Sequence, residues 1–221
     1  MYDVFFICYK ESNQEENWQR LLEFHSNARK ISGITGISEA HILCNELSTT
    51  DRFWTVDGDN WLLGPLEIQE DYPQDLLFFN AIDPVDRTAS SIGGVKLWRT
   101  GSFINKDMSK GDFCKHATST SMLVQNTLSI HKYDNTPKEA WQHTFRHMVK
   151  CFSGIIGMEC LPLNIKLKEQ HRDLNKYSYQ GYLDAKQYVI ECNGDFEKIN
   201  LINDYEWLNT KCPEEILSES I

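Results

Sequence analysis

The first sixty residues alternate between apolar strand-like runs and amphipathic segments, and this alternation constrains the fold more than any other sequence feature. The apolar run from Tyr2 to Tyr9 predicts a central strand that is buried on both faces. Ile31 to Ile37, broken by Gly33 and Gly36, predicts a short strand followed by a tight loop, and Phe53 to Val56 predicts a third strand. A helical segment precedes each of these two strands. Such an order favours right-handed crossovers. We therefore expect an α/β fold with a mostly parallel central sheet flanked by helices.

Two carboxylates, Asp57 and Asp59, follow the third predicted strand directly. Ligands of open α/β sheets bind at the carboxyl edge of the strands, and two neighbouring carboxylates repel each other unless a cation lies between them. Oxygen ligands favour Mg²⁺ or Mn²⁺. The pair is thus a candidate metal site that holds a nucleotide diphosphate. A plain turn is the alternative, because Asp-Gly and Asp-Asn are common turn formers.

Other residues of the predicted loops could contact the same ligand. The sequence contains neither GxGxxG nor GxxxxGK[ST], so a metal ion would have to balance the phosphate charge. Tyr9 and the stretch from Gly36 to His41 follow the first two predicted strands. Gly93 and Gly94 precede Lys96, and paired glycines allow a backbone to approach a ligand closely. A bulge or a hairpin turn would explain these glycines equally well.

A third helix is predicted after Thr136, where Pro137 and Glu139 complete a capping box. One face of this helix is apolar, and the opposite face carries four basic or imidazole side chains: His143, Arg146, His147 and Lys150. The two histidines have the spacing of a zinc pair, but the glutamate of HExxH is missing and the neighbouring cations would repel a metal ion. We expect either a solvated basic face or an anion-binding face.

The C-terminal third of the chain has less regular patterns. Ala185 to Ile190 is rich in β-formers and predicts a strand. Ile199 to Leu208 predicts a packed segment, and the acidic tail after Pro213 is expected to fray.

Composition indicates a soluble intracellular protein. The chain has 221 residues, 41% of them hydrophobic, which is enough for the core of a single domain. It has no apolar run that would span a bilayer, and no membrane partner is expected. Its seven cysteines contain no CxxC pair, so we expect small core residues in a reducing cytoplasm.

The net charge of −10 at first disfavours a nucleic-acid partner. The charge is unevenly distributed, however. Lys96 to Lys115 holds five bases and two acids, and Arg146 to Lys176 holds six bases and three acids. A polyanion could bind one basic side of an acidic protein, although a solvated mixture of charges is the commoner explanation.

Taken together, these residues resemble a known family. Val4 to Glu11, the Gly-x-x-x-Ala-His stretch from Gly36 to His41, and Thr50 to Asn60 resemble the donor half of GT-A glycosyltransferases. The later part of the chain is similar to small glycosyltransferases of T-even-like bacteriophages, which glycosylate or arabinosylate 5-hydroxymethylcytosine in DNA. That similarity is carried by three groups of residues: Gly93 to Leu97; Trp141, Phe145, Arg146 and Lys150; and Ile202 to Leu208.

The resemblance implies a single GT-A-like domain, with residues 1–64 as the nucleotide-sugar-binding half and residues 65–221 as the acceptor half and C-terminal segment. It implies that Asp57 and Asp59 bind Mn²⁺ or Mg²⁺. The donor would be a nucleotide sugar, such as a UDP-sugar, carrying arabinose or glucose, and the acceptor would be DNA in the host cytoplasm.

The resemblance also implies roles for individual residues, which are as follows: donor binding by Tyr9, Gly36, His41 and Asp57; acceptor or phosphate binding by Gly94, Lys96, Arg146 and Lys150; catalysis by Lys96. The phage pattern has an acid where this chain has His147, so the resemblance leaves the catalytic base unassigned. An inverting transfer needs a carboxylate to deprotonate the acceptor hydroxyl, and Asp112, which follows the glycine-lysine strand, is the candidate catalytic base.

Two other functions remain open. A metal-dependent nucleotidyltransferase or phosphohydrolase also uses paired aspartates, although it usually has further carboxylates for a second metal. A non-catalytic nucleic-acid-binding module would use the basic segments alone. We also expect replacement of Asp57 or Asp59 by asparagine to leave the fold intact, because it would relieve charge repulsion.

Overall fold

The computed structural model describes residues 1–85, 87–90, 94–103, 113, 117–155, 166, 169 and 175–220. They fall into two compact units, the first extending to Lys132 and the second formed mainly from Tyr133 onward. Asp112, the candidate base, lies outside the described residues. Within them, no helix is long and apolar enough to cross a membrane.

The first unit is built on one eight-stranded sheet. Its strands are β1 (Asp3–Cys8), β2 (Arg29–Ser32), β3 (Arg52–Asp57), β4 (Asn60–Leu62), β5 (Leu76–Ile82), β6 (Ala89–Ser90), β7 (Val95–Arg99) and β8 (Ser121–His131). The order across the sheet is β2-β1-β3-β7-β5-β8-β4, and β6 pairs with β5 outside this path. The sheet contains strands from both sides of residue 64.

The predicted mostly parallel α/β sheet is confirmed. β1 pairs in parallel with β2 and β3, and β5 pairs in parallel with β8. β7 runs antiparallel to both β3 and β5, and β4 runs antiparallel to β8. Among the seven strands of the main path, β2, β1, β3, β5 and β8 therefore run in one direction and β7 and β4 in the other.

The continuous apolar pattern of β1 arises because both of its faces are covered. Phe6 belongs to a core cluster that includes Leu21 of α1 (Gln14–Phe24). Phe5, on the opposite face, belongs to a cluster that includes Cys44 of α2 (Ile37–Leu47). The two helices thus cover opposite faces of the sheet and hold the loops at the ends of its parallel strands.

The second unit is helical in its described residues. Its helices are α3 (Pro137–Phe152), α4 (Lys176–Cys192), α5 (Phe196–Asn200), α6 (Tyr205–Lys211) and α7 (Glu214–Ser218), with a 3₁₀ turn at Leu201–Asn203. The predicted capping of α3 is confirmed, because Thr136 Oγ1 accepts a hydrogen bond from the Glu139 backbone N–H at 3.2 Å. Trp141 and Met148 of its apolar face are fully buried.

Two predictions for the C-terminal region are wrong. Ala185 to Ile190 lies inside α4 and is not a strand. Asn175 caps this helix, and Ala185 is buried with Trp141 in the core of the unit, so tertiary packing overrides the β-propensity of the segment. The tail after Pro213 is not frayed, since it forms α7 and buries Ile216.

Candidate functional site

The loops predicted to converge do so at the carboxyl edge of the parallel strands. Ile7 is opposite Asp57 and Cys8 is opposite Ser32, so β1, β2 and β3 end side by side. Tyr9 follows β1 directly, and Gly36 lies in the loop between β2 and α2. Gly36 has a φ of 101°, a conformation that favours glycine.

The Asp-x-Asp segment is both a strand end and a turn. Asp57 is the last residue of β3, and Gly58 and Asp59 form the turn that leads into β4. β4 does not return along β3 but pairs with the end of β8, where Asn60 lies opposite His131. The turn interpretation is therefore correct for the backbone. This turn places the two carboxylates beside different strands.

Asp57 forms an ion pair with Lys96 of β7. The Lys96 ammonium lies 2.9 Å from Asp57 Oδ2, and its side chain is only 3% exposed. Burial raises the pKa of the Asp57 carboxyl, and the positive charge of Lys96 opposes this rise without reversing it. Lys96 was expected to meet phosphate, but in this structure it meets the candidate metal ligand.

Asp59 is held at both carboxylate oxygens. Asn60 Nδ2 donates to Oδ1 at 2.7 Å, and His131 Nε2 lies 2.9 Å from Oδ2. Burial alone would raise the pKa of Asp59, but His131 and Asn60 hold it below its ordinary value. The same interaction raises the pKa of His131 against the effect of burial. His131 was not anticipated, because the histidine lies 72 residues away from its partner in sequence.

Glu11 adds a third carboxyl group to this edge. Its Oε2 accepts a hydrogen bond from the Tyr9 backbone N–H at 2.8 Å. Burial, together with the negative charge of Asp59, raises the pKa of Glu11 to about 7. The sequence signal was available, since Glu11 stands in the first predicted loop, but nothing in the pattern distinguished it from a solvated acid.

Two glycines make room for these side chains. A Cβ at Gly58 would lie 2.9 Å from Glu11 Oε2 and 2.8 Å from Cys8 Cβ. A Cβ at Gly94 would lie only 2.1 Å from Asn60 Nδ2. The Gly94 carbonyl also accepts the Asp57 backbone N–H at 2.8 Å. Gly94 therefore fits the site tightly, and the requirement for glycine has a structural cause apart from any ligand.

His41 lies behind the site and not at its surface. Its ring is fully buried against Trp98 and Phe113, and Nδ1 lies 2.8 Å from the Ile37 carbonyl oxygen of its own helix. Burial, with a contribution from the positive charge of Lys96, lowers the pKa of His41 to about 3. In this structure His41 packs beneath the loop that it was expected to help line.

The basic residues of α3 belong to the second unit. Arg146 donates from Nε to the Ile202 carbonyl oxygen at 2.9 Å and from Nη1 to the Tyr205 hydroxyl at 2.8 Å. Its guanidinium thus connects α3 to the C-terminal helices. Lys150 lies in the last turn of α3 and is half-buried. The rings of His143 and His147 stack with centroids 6.2 Å apart.

A cavity of about 380 Å³ lies at the opposite edge of the sheet, where β1 and β3 begin. It is lined by Tyr2, Asp51, Arg52, Ile68, Gln69, Glu70, Asp71 and Arg99. Arg52 and Arg99 donate to carbonyl oxygens of the loop before β5, so both guanidinium groups stabilise that loop.

The chemistry of the carboxylate edge suits a cation that arrives with its ligand. In the described part of the chain, no group of three or more His, Cys, Asp or Glu side chains could hold a metal ion. Mg²⁺ bound with nucleotide phosphates commonly takes only one or two protein carboxylates and completes its shell with phosphate and water. Asp57 and Asp59 offer that number of hard oxygen donors, which the ion would share with Lys96 and His131.

Known proteins give little information about this site beyond its own geometry. No family model matches the sequence, and no curated protein matches it either. Among solved structures, HddC from Yersinia pseudotuberculosis has a TM-score of 0.38 at 12% identity, covering 58% of this chain and 92% of its own. S. aureus TarS 1-349 has a TM-score of 0.39 at 9% identity, covering 98% of this chain and 82% of its own. Similarities at this level assign neither a fold family nor a function.

The ion pair changes the expected stability of the Asp57 variant. Asp57→Asn would leave the buried Lys96 ammonium without its carboxylate partner, so we expect it to lower the free energy of unfolding by about 3 kcal/mol. Lys96→Met should also destabilise the protein, and the double variant should lose less than the sum of the two single losses. Urea unfolding of the four proteins measures this coupling. If the Asp57→Asn variant is as stable as the parent, relief of the repulsion between Asp57 and Asp59 offsets the loss of the ion pair, as first expected from the sequence.

His41 predicts a pH dependence of stability. The unfolded ring binds a proton near pH 6.5 and the folded ring near pH 3, so the unfolded state binds more protons in this window and stability falls as the pH decreases. Between pH 7 and pH 5.5 this group should remove about 1.3 kcal/mol from the free energy of unfolding. His41→Gln should lose that part of the pH slope in urea titrations. An unchanged slope would show that the ring binds a proton as readily in the folded protein as in the unfolded chain.

Proposed function

We propose that this protein is a metal-dependent glycosyltransferase that moves a sugar from a nucleotide-sugar donor to a hydroxyl acceptor. The observation that carries the proposal is the convergence of Asp57 and Asp59 with Tyr9, Glu11 and Gly36 at the carboxyl edge of a parallel βαβαβ unit. Open α/β sheets bind their ligands at this edge. The same arrangement is expected of the donor half of a GT-A glycosyltransferase, which the sequence resembles.

In this proposal Asp57 and Asp59 hold Mn²⁺ or Mg²⁺ together with the donor diphosphate. The metal ion, when bound, would offset the negative charge that develops on the leaving nucleoside diphosphate. Lys96 and His131 favour the ionised forms of the two carboxylates and hold them in place, since a nitrogen of each side chain lies 2.9 Å from a carboxylate oxygen. Tyr9 and the loop at Gly36 would contact the nucleoside.

The acceptor hydroxyl needs a proton acceptor if the transfer inverts the sugar configuration. Asp112 remains our proposed base, on the sequence pattern alone. Lys96 is less suited to contact the substrate directly than the sequence implied, because its side chain is buried and its ammonium is paired with Asp57. A retaining transfer would not need Asp112 in that position.

For the acceptor, we propose 5-hydroxymethylcytosine in DNA, with arabinose or glucose as the transferred sugar and a UDP-sugar as the donor. The proposal is supported by the resemblance to phage DNA glycosyltransferases and by the basic segments around Lys96 to Lys115 and Arg146 to Lys176. Arg146 contributes less to this support than its sequence position implied, because its guanidinium is engaged within the second unit.

The first test concerns the metal and the donor. Purified protein should consume a nucleotide sugar, and not a nucleoside triphosphate, in the presence of Mn²⁺ and modified DNA, and EDTA should abolish turnover. Asp59→Asn should lower the rate at least about 100-fold, as expected for loss of a metal ligand. Glu70→Gln, which removes an exposed carboxylate in the loop before β5, is the matched control and should retain full activity.

Consumption of nucleoside triphosphates would favour the nucleotidyltransferase or phosphohydrolase alternative. DNA binding that is indifferent to EDTA, without turnover of any nucleotide, would favour a non-catalytic binding module. Full activity of Asp59→Asn would remove the carboxylate pair from the mechanism.

The second test concerns the acceptor. Duplex DNA that contains hydroxymethylcytosine should be modified, and mismatched or single-stranded DNA should be modified faster, because displacing a stacked base costs a few kcal/mol. Affinity should fall with salt with a log–log slope of roughly −0.9 per phosphate contact on duplex DNA. DNA with unmodified cytosine is the control. Transfer to a protein or small-molecule hydroxyl, with hydroxymethylated DNA ignored at low salt, would refute the acceptor and leave the glycosyltransferase proposal standing.

A further inference from the structure

The two aspartates of the site are restrained to different degrees. The hydrogen bonds that reach Asp57 from described side chains end on one oxygen, Oδ2, which meets Lys96. Both oxygens of Asp59 are engaged, Oδ1 by Asn60 and Oδ2 by His131. A carboxylate held at both oxygens has a fixed plane. The orientation of Asp59 is therefore set by the protein before any ligand binds.

The Asn60 side chain is itself oriented from behind. Ser129 Oγ donates to Asn60 Oδ1 at 2.8 Å, and this bond turns the amide nitrogen of Asn60 toward Asp59. Both residues are fully buried, so water does not compete for these hydrogen bonds. Ser129 and His131 alternate on β8, opposite Leu62 and Asn60 of β4. Among the described residues, the side chains that hydrogen-bond to Asp59, directly or through Asn60, therefore come from one pair of strands.

Close packing around Asn60 restricts the orientation of its amide group. A side chain at residue 94 would clash with the Asn60 amide, since a Cβ at Gly94 would lie within 2.3 Å of Asn60 Nδ2, Oδ1 and Cγ. A buried asparagine that is packed this closely and hydrogen-bonded at both ends has one orientation. Without the Ser129 hydroxyl the Asn60 amide oxygen would lose its hydrogen-bond donor, and the hold of the amide on Asp59 would be weaker.

We propose that Ser129 and Asn60 are positioning residues that act through Asp59 and preset its carboxylate for the cation of the site. The inference rests on the proposed function, in which this cation binds together with a nucleotide donor. Mutating a residue that hydrogen-bonds to a metal ligand typically lowers the metal affinity 10- to 100-fold. Ser129 has no place in the sequence pattern of the site, because it lies 69 residues away from Asn60.

The test measures Mn²⁺ binding by the full chain, with Mn²⁺ alone and with Mn²⁺ plus UDP, by calorimetry. Ser129→Ala should weaken Mn²⁺ binding about 10- to 100-fold. Ser129→Thr, which keeps the hydroxyl, should recover most of the affinity, and Ser129→Cys, which nearly keeps the volume, should bind as weakly as the alanine variant. Thr118→Val is the matched control, since it removes a buried hydroxyl just before the opposite end of β8 and should leave Mn²⁺ binding unchanged.

Turnover gives a second readout. If Ser129 acts through Asp59, the alanine variant should need more Mn²⁺ for half-maximal rate while keeping most of its kcat at saturating Mn²⁺. Parent and Ser129→Ala proteins that bind Mn²⁺ equally would overturn the positioning role and leave the proposed function intact. Absence of Mn²⁺ binding in the parent, with and without UDP, would overturn both the metal role of the carboxylates and this inference.

Discussion

The parallel pairing of β1 with β3 is the constraint on which the candidate site depends. Five residue pairs, from Asp3 opposite Phe53 to Ile7 opposite Asp57, align the carboxyl ends of the two strands. A parallel pair needs a crossover, and the crossovers place α1 and α2 on opposite faces of the sheet. The loops that enter these helices then have to lie beside Asp57.

The antiparallel strands complete the site by supplying charge. β7 runs against β3, so its beginning lies beside the end of β3, with Lys96 opposite Thr55 and diagonal to Asp57. β8 ends beside β4 and brings His131 to Asp59. Asp57 and Asp59 each lie 2.9 Å from a basic nitrogen, of Lys96 and of His131 respectively, which offsets part of the cost of placing two acidic side chains at a partly buried edge.

The second unit shows how surface chemistry can be misjudged from a helix face. Arg146 occupies the polar side of α3, where a solvated or anion-binding role was expected. The C-terminal helices cover part of that side, and the guanidinium satisfies a carbonyl oxygen and a tyrosine hydroxyl there. Helical periodicity identified the buried apolar stripe of α3 correctly, because that stripe depends on one helix. The residues that contact its polar face come from a segment about 56 residues further along the chain.

The sequence by itself determined the α/β class, the strands β1 and β3, the capped start of α3, and the place of Asp57 and Asp59 at a strand end. These features follow from local patterns, namely apolar runs, side-chain periodicity and capping residues. Only the tertiary structure decided that Lys96 pairs with Asp57, that His131, Asn60 and Ser129 restrain Asp59, that His41 is buried, and that residues 185–190 are helical. Each of these depends on which strands and helices become neighbours, and contacts between residues far apart in the chain leave no periodic signal in a single sequence.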